Sequence, residues 1–253
     1  MFVLEVLMNL GLGLVLGALG GLFGIGGGLL AIPLMGVVFG MDQQLAQGTA
    51  LVMVAPNVML ALWRYHQHNH IDIRHALALA LPSFCCSILG SLMAISLDAG
   101  VMRIIFVLFL LVLAAYSLFQ ALRPAVSKGN GGFRYPWWPW FLVIGGGSGA
   151  MGGLFAVGGS LVATPLLTTL FGASQVIAQG LALSLAVPST LVALFTYAMH
   201  GEVNWRMAIP LAIGGLITIS FGVKLAHTLP ERMLRMLFSG FLVVSAMVLM
   251  LKI

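Results

Sequence analysis

Two stretches of the chain, "GGLFGIGGGLLAIPLM" at residues 20–35 and "GGLFAVGGSLVATPLL" at residues 152–167, combine glycine, hydroxyl and proline in a pattern suited to holding an anion. Glycine and proline are poor residues for a helix interior, so each stretch predicts a broken helix. If the new helix starts near Leu29–Ala31, the amides that follow Gly26, Gly27 and Gly28 have no helical partner. Those amides, with the positive end of the helix dipole, form a seat for negative charge. Pro33 then falls in the first turn, where its missing N–H costs nothing. The second copy offers the same seat from Gly158, Gly159 and Ser160 into Pro165, with Ser160 and Thr164 adding hydroxyls. Four glutamines extend the donor set. "QQLAQG" and "SQVIAQG" place Gln43/Gln47 and Gln175/Gln179 at i,i+4, on one helical face, and an amide is a neutral donor for an oxyanion. Asn57 and Ser189 follow the paired prolines Pro56 and Pro188 and are further candidates for lining the same cavity.

A plainer reading exists for the same residues. Small residues let membrane helices pack closely, and this is the reading preferred for Gly11, Gly13, Gly17, Gly145 and Gly146. The glutamines have an alternative use as helix caps at the membrane edge. Packing alone does not require the proline that ends each block.

Composition sets the solvent. Of 253 residues 61% are hydrophobic and only 7% charged, with a mean hydropathy of +1.12. Soluble domains carry about 25% charged residues. A polytopic, all-α integral membrane protein is the fold class this implies. The net charge of +5 lies mostly in loops, where it orients the chain against the cytoplasm, so no nucleic acid is expected as a partner. The N-terminal "MFVLEVLMNLGLGL" lacks a basic leading region and a cleavage signal, and reads as a first span. Cys85 and Cys86 stand side by side in an apolar run as small packing residues.

The two blocks are one unit used twice. Residues 20–34 match residues 152–166 at ten of fifteen positions without a gap, an offset of 132. At that offset His68 meets His200, Arg74 meets Arg206 and Arg103 meets Arg235. The chain thus divides into a first transmembrane repeat (1–122), a linker (123–137) and a second repeat (138–253). Each repeat reads as a broken apolar stretch (2–40 and 138–172) followed by three spans, at 45–63, 76–97 and 103–122 and at 177–198, 207–229 and 233–252. Trp137, Trp138 and Trp140 anchor the linker at the interface. With the linker bases Arg123, Lys128 and Arg134 in the cytoplasm, a broken stretch that crosses twice puts eight of eleven bases inside. A single crossing puts seven inside. The positive-inside rule therefore leans, by one charge, toward two inverted, pseudo-symmetric repeats of five segments rather than four.

Chemistry is also marked by absence. Glu5, Asp42, Asp72, Asp98, Glu202 and Glu231 all fall near segment ends, which argues against a cation pump built on buried acids. His68 and His200 are the spare candidates for proton coupling. "HQHNH", with His66, His68 and His70, imitates a metal cluster, but it belongs to a loop and only His68 has a counterpart in the second repeat. "GGSG" at 146–149 imitates a hydrolase motif, with Ser148 as nucleophile and His200 as base. The expectation is no enzyme, no metal and no cofactor.

The assembled pattern resembles the TauE/SafE (sulfite exporter, TSUP) family of membrane transporters, through "GLFGIGGGLLAIPLM" and "GGLFAVGGSLVATPLL", each followed by a segment ending in "QG". "HGEVNWRMAIPLAIGG" is similar to a further stretch of that family, with Asn204 where an acid is usual. The resemblance implies transport of a small sulfur-containing anion such as sulfite, a sulfonate or thiosulfate. Joined to the repeat, it predicts a secondary transporter of the cell inner membrane working by alternating access. An anion channel or an intramembrane serine hydrolase is the alternative. The expected partners are a small anionic substrate and the lipid bilayer, with proton or ion coupling and the oligomeric state left open. Gly28 stands for Ser160 and Ile32 for Thr164, so the two seats are unequal.

Overall fold

The computed structural model describes residues 2–68, 73–122 and 138–250. These form ten helices: α1 (Phe2–Phe23), α2 (Gly28–Val38), α3 (Gln43–His68), α4 (Ile73–Ser96), α5 (Ala99–Leu122), α6 (Trp138–Phe155), α7 (Ser160–Leu170), α8 (Gln175–Met199), α9 (Trp205–Thr228) and α10 (Glu231–Met250). Six of them are long and apolar enough to cross a membrane. With 24 to 26 residues, α3, α4, α5, α8 and α9 are each about 36 Å long, enough for a hydrocarbon core of about 30 Å. The protein is an all-α, multi-pass membrane protein. The linker lies outside the described residues.

Both expected breaks are present, between α1 and α2 and between α6 and α7. Gly27 (φ 91°) and Gly159 (φ 70°) precede α2 and α7 in the left-handed region that glycine enters without penalty. The break is a turn-back rather than a bend, because Gly27 is pressed against the Leu16 carbonyl and Gly159 against that of Ser148. Ala156 takes φ 59° at the place of Gly24 (φ 69°), a conformation uncommon for any residue with a Cβ.

One expectation needs correction. The helices start at Gly28 and Ser160, earlier than expected, so Pro33 and Pro165 are the sixth residues of α2 and α7 and lie beyond the first turn. A proline there cannot donate to the carbonyl four residues back, which frees the backbone oxygens of Leu29 and Leu161 from the helix ladder.

The packing is interlocked. Gly13, Gly17 and Gly21 of α1 lie against the backbone of α9 at Leu211, Gly215 and Ile219. Gly145, Gly149 and Gly153 of α6 lie in the same way on α4 at Leu79, Ser83 and Ser87. All of these positions correspond at the offset of 132. Gly146 meets the Cys86 sulfur, so the packing reading holds for Gly13, Gly17, Gly145 and Gly146. It fails for Gly11, which has nothing within 4 Å of where a Cβ would stand.

Gly149→Val is expected to destabilise the protein by about 2–4 kcal/mol, because a backbone rather than a flexible side chain must move. Gly11→Ala is expected to be neutral or to stabilise by up to about 1 kcal/mol. Thermal unfolding of both variants in detergent checks the contrast.

Candidate functional site

A cavity opens at the start of α7, enclosing about 530 Å³ of empty space that includes its mouth. Ser160, Leu161, Thr164, Pro165 and Thr168 of α7 form one wall, and Gln179 of α8 stands beside them. Leu113, Tyr116 and Ser117 come from α5, Leu234 and Phe238 from α10, and Phe23 and Ile25 from the first break. Four of the expected site residues thus meet in one place: Ser160, Thr164, Pro165 and Gln179. Gly158 and Gly159 form the turn immediately before. Among the described residues no lining side chain is charged.

The donors are neutral. Ser160 is 1% exposed, and its hydroxyl has no hydrogen-bond partner among the described residues although it lines the cavity. Such a group is normally satisfied when buried, so its solitude marks a place for an acceptor. It sits on the first residue of α7, where the helix leaves amides unbonded and the dipole is positive. Gln179 is fixed by two bonds. Its Oε1 accepts from the Tyr65 hydroxyl at 2.8 Å, and its Nε2 donates to the Phe23 carbonyl at 3.3 Å. An amide nitrogen carries two protons, so one remains.

The two breaks touch. Gly28 approaches the Ala156 carbonyl, and Gly24 lies against the Gln179 side chain. The remaining expected residues have other places. Gly26, Gly27 and Gly28 pack on Val54, Val58, Leu16 and Met53, outside the lining of this cavity, and so does Pro33. Asn57 donates to the Gly26 carbonyl at 3.1 Å, and Ser189 donates to that of Gly158 at 3.1 Å, so both hold the breaks together. Gln43 and Gln47 are buried, each with an Nε2 that lacks a partner among the described residues, and the Gln47 Oε1 accepts from Tyr197 at 2.8 Å. The capping role proposed for glutamines falls instead to Gln44, whose amide donates to the carbonyls of Ala94 and Leu97 at the end of α4. The Gln175 side chain lies outside the described residues.

The corresponding region of the first repeat is filled. Counting by 132, Ser117, Thr164, Leu234 and Phe238 become Leu249, Ile32, Met102 and Phe106, all fully or almost fully buried. Tyr116, Ser160 and Thr168 become Val248, Gly28 and Gly36. Five hydroxyls in one copy have no hydroxyl counterpart in the other, while Ser245 in place of Leu113 goes the opposite way.

Tyr65 and Tyr197 are functional candidates that the spacing argument passed over. They too are 132 residues apart, so the duplication carried the signal.

The imitating motifs do not converge on chemistry. Ser148 is fully buried with an unpartnered hydroxyl, whereas His200 is exposed and its Nδ1 lies 2.8 Å from the Thr196 carbonyl, so the two are not bonded to one another. His66 is exposed, and the side chain of His68 and all of His70 lie outside the described residues. Asn204 is the N-cap of α9, accepting from the Met207 amide at 3.4 Å, a task that asparagine and aspartate perform about equally.

The sequence itself has counterparts among known proteins. The sulfite exporter TauE/SafE family matches residues 9–249. The chain belongs to that family. It is 25% identical over 256 residues to a probable membrane transporter protein of Methanocaldococcus jannaschii, covering 94% of this chain and 93% of that one. It is 27% identical over 231 residues to a probable membrane transporter protein of Xylella fastidiosa (90% and 88% covered). It is also 22% identical over 242 residues to the probable membrane transporter protein YunE of Bacillus subtilis (88% and 87% covered). No solved structure matches the chain. The TauE/SafE membership and these relatives make the protein a membrane transporter.

Because Ser160 leaves an unbonded hydroxyl in the fold, Ser160→Ala is expected to keep or raise the melting temperature of the unliganded protein. A fall of several degrees in a detergent melt would mean that the hydroxyl has a structural partner.

Proposed function

We propose that this TauE/SafE transporter carries a small oxyanion of sulfur, such as sulfite, a sulfonate or thiosulfate, and binds it at the start of α7. The unpartnered, buried Ser160 hydroxyl, placed beside helix-start amides and the Gln179 Nε2, is the observation that carries this reading. An oxyanion offers only acceptors, and the described lining residues of the cavity offer neutral donors. Discontinuous transporter helices bind anionic groups in the same manner, with half-helix N-termini turned toward the substrate.

The repeats are inverted in this reading, and transport is by alternating access. Tyr116 and Ser117 near the end of α5, Gln179 near the start of α8, and Leu234 near the start of α10 share one cavity, so these ends belong to one face of the membrane. α5 runs directly into the linker. That supports a twice-crossing broken stretch, and the linker bases assign the face to the cytoplasm of a cell with the protein in its inner membrane. The cavity then opens inward. Its apolar counterpart at Ile32, Met102, Phe106 and Leu249 is closed, which favours a transporter over a continuously open channel.

Uptake of radiolabelled sulfite, thiosulfate, sulfate, taurine and sulfoacetate into proteoliposomes tests the assignment. Saturable uptake of one sulfur anion is expected, with counterflow. Its KM is expected to rise about tenfold in Ser160→Ala and more in a Gln47→Ala/Gln179→Ala double variant, as for lost hydrogen bonds to a charged group. Unsaturable flux would identify a channel, and no uptake of any sulfur anion would remove the substrate class.

A further inference from the structure

We propose that Tyr65 and Tyr197 are positioning residues, each fixing the flip of a glutamine amide so that it presents N–H to an anion, and that each serves one face of the membrane. The proposal rests on the anion reading above. Both tyrosines are fully buried, near the cytoplasmic end of α3 and the opposite end of α8 respectively, and each reaches into the other repeat. Tyr65 donates to Gln179 Oε1 and Tyr197 donates to Gln47 Oε1, both at 2.8 Å, and the two bonds exchange exactly under the offset of 132.

The amide is ambivalent unless something orients it, because one end donates and the other accepts. At Gln179 the choice is made twice: the Tyr65 hydroxyl occupies the oxygen and the Phe23 carbonyl, which can only accept, holds the nitrogen. With the Tyr65 proton removed, Oε1 loses its donor and only the longer Phe23 bond, at 3.3 Å, still opposes a rotation that turns the oxygen into the cavity, where it repels an anion. Gln179 lines the open cavity. Gln47 is held by the same kind of bond, but its Nε2 is fully buried and has no partner among the described residues, in the repeat whose cavity is filled. A buried donor left idle in one state is a donor kept for another. Gln47 is therefore the counterpart of Gln179 when the cavity opens to the opposite face, and Tyr197 orients it there.

The test is radiolabelled sulfite transport measured from each face, in right-side-out and inside-out membrane vesicles, for wild type, Tyr65→Phe, Tyr197→Phe and Tyr65→Phe/Gln179→Leu. Phenylalanine keeps the ring and its packing. Tyr65→Phe is expected to raise KM for sulfite offered at the linker face roughly fivefold, the worth of one hydrogen bond, with Vmax changed by less than about twofold. The same change at the opposite face is expected to be much smaller, and Tyr197→Phe is expected to show the reverse preference. In the Gln179→Leu background, Tyr65→Phe is expected to add nothing, because it acts through that amide. A loss of Vmax equal from both faces, or additive effects in the double variant, would overturn the proposal and leave the tyrosines as structural supports. Wild-type vesicles that carry neither sulfite nor any other sulfur anion of the panel above would instead refute the anion reading on which the proposal rests.

Discussion

A helix interrupted inside hydrocarbon exposes backbone carbonyls that water cannot reach, and leaving each one unbonded costs several kcal/mol. Here four such oxygens are met by side chains. The Phe23 carbonyl accepts from Gln179, that of Gly26 from Asn57, that of Leu154 from Tyr197 and that of Gly158 from Ser189. Every donor stands on α3 or α8, the two most deeply buried of the candidate spans. Three of the four bonds stay within a repeat, and the one from Gln179 to Phe23 crosses between repeats. The first break therefore draws one of its donors from the other half, and the glycine seams pack α1 on α9 and α6 on α4 around the two breaks.

With the breaks secured in this way, the amides of α2 and α7 are available for something other than holding the fold. The two copies then diverge. Hydroxyl-bearing side chains surround the start of α7, while Ile32, Met102 and Phe106 close over the start of α2. A single rigid site would not need a second set of orphan donors, yet Gln43 and Gln47 keep theirs unbonded in the closed copy. Equivalent bonds with unequal packing are the features on which the proposal of alternating access between inverted halves rests.

Much of this is legible in the sequence because duplication makes rare residues count twice. The class of fold follows from composition. The breaks follow from glycines that recur at one offset, and the glutamines follow from i,i+4 spacing. Pro33 and Pro165 were harder to place because the last glycine of the first block reads as a breaker, whereas Gly28 begins α2 and moves the proline to the sixth position. The part played by α5 and α10 is not visible in any local pattern. Tyr116, Ser117 and Phe238 join the site through packing between segments far apart in the chain. Tyr65 and Tyr197 lie between these cases: their pairing is written in the offset, but their partners become evident only when α3 of one repeat is set against α8 of the other.

The central claim is that an oxyanion sits on the start of α7. Selenite has the shape and charge of sulfite and scatters anomalously, so crystals of the protein grown with selenite would locate it directly. The account predicts an anomalous peak within about 4.5 Å of Ser160 Oγ and Gln179 Nε2, one Se–O bond beyond hydrogen-bonding distance. A peak elsewhere in the molecule, or none at a selenite concentration that blocks transport, would contradict it.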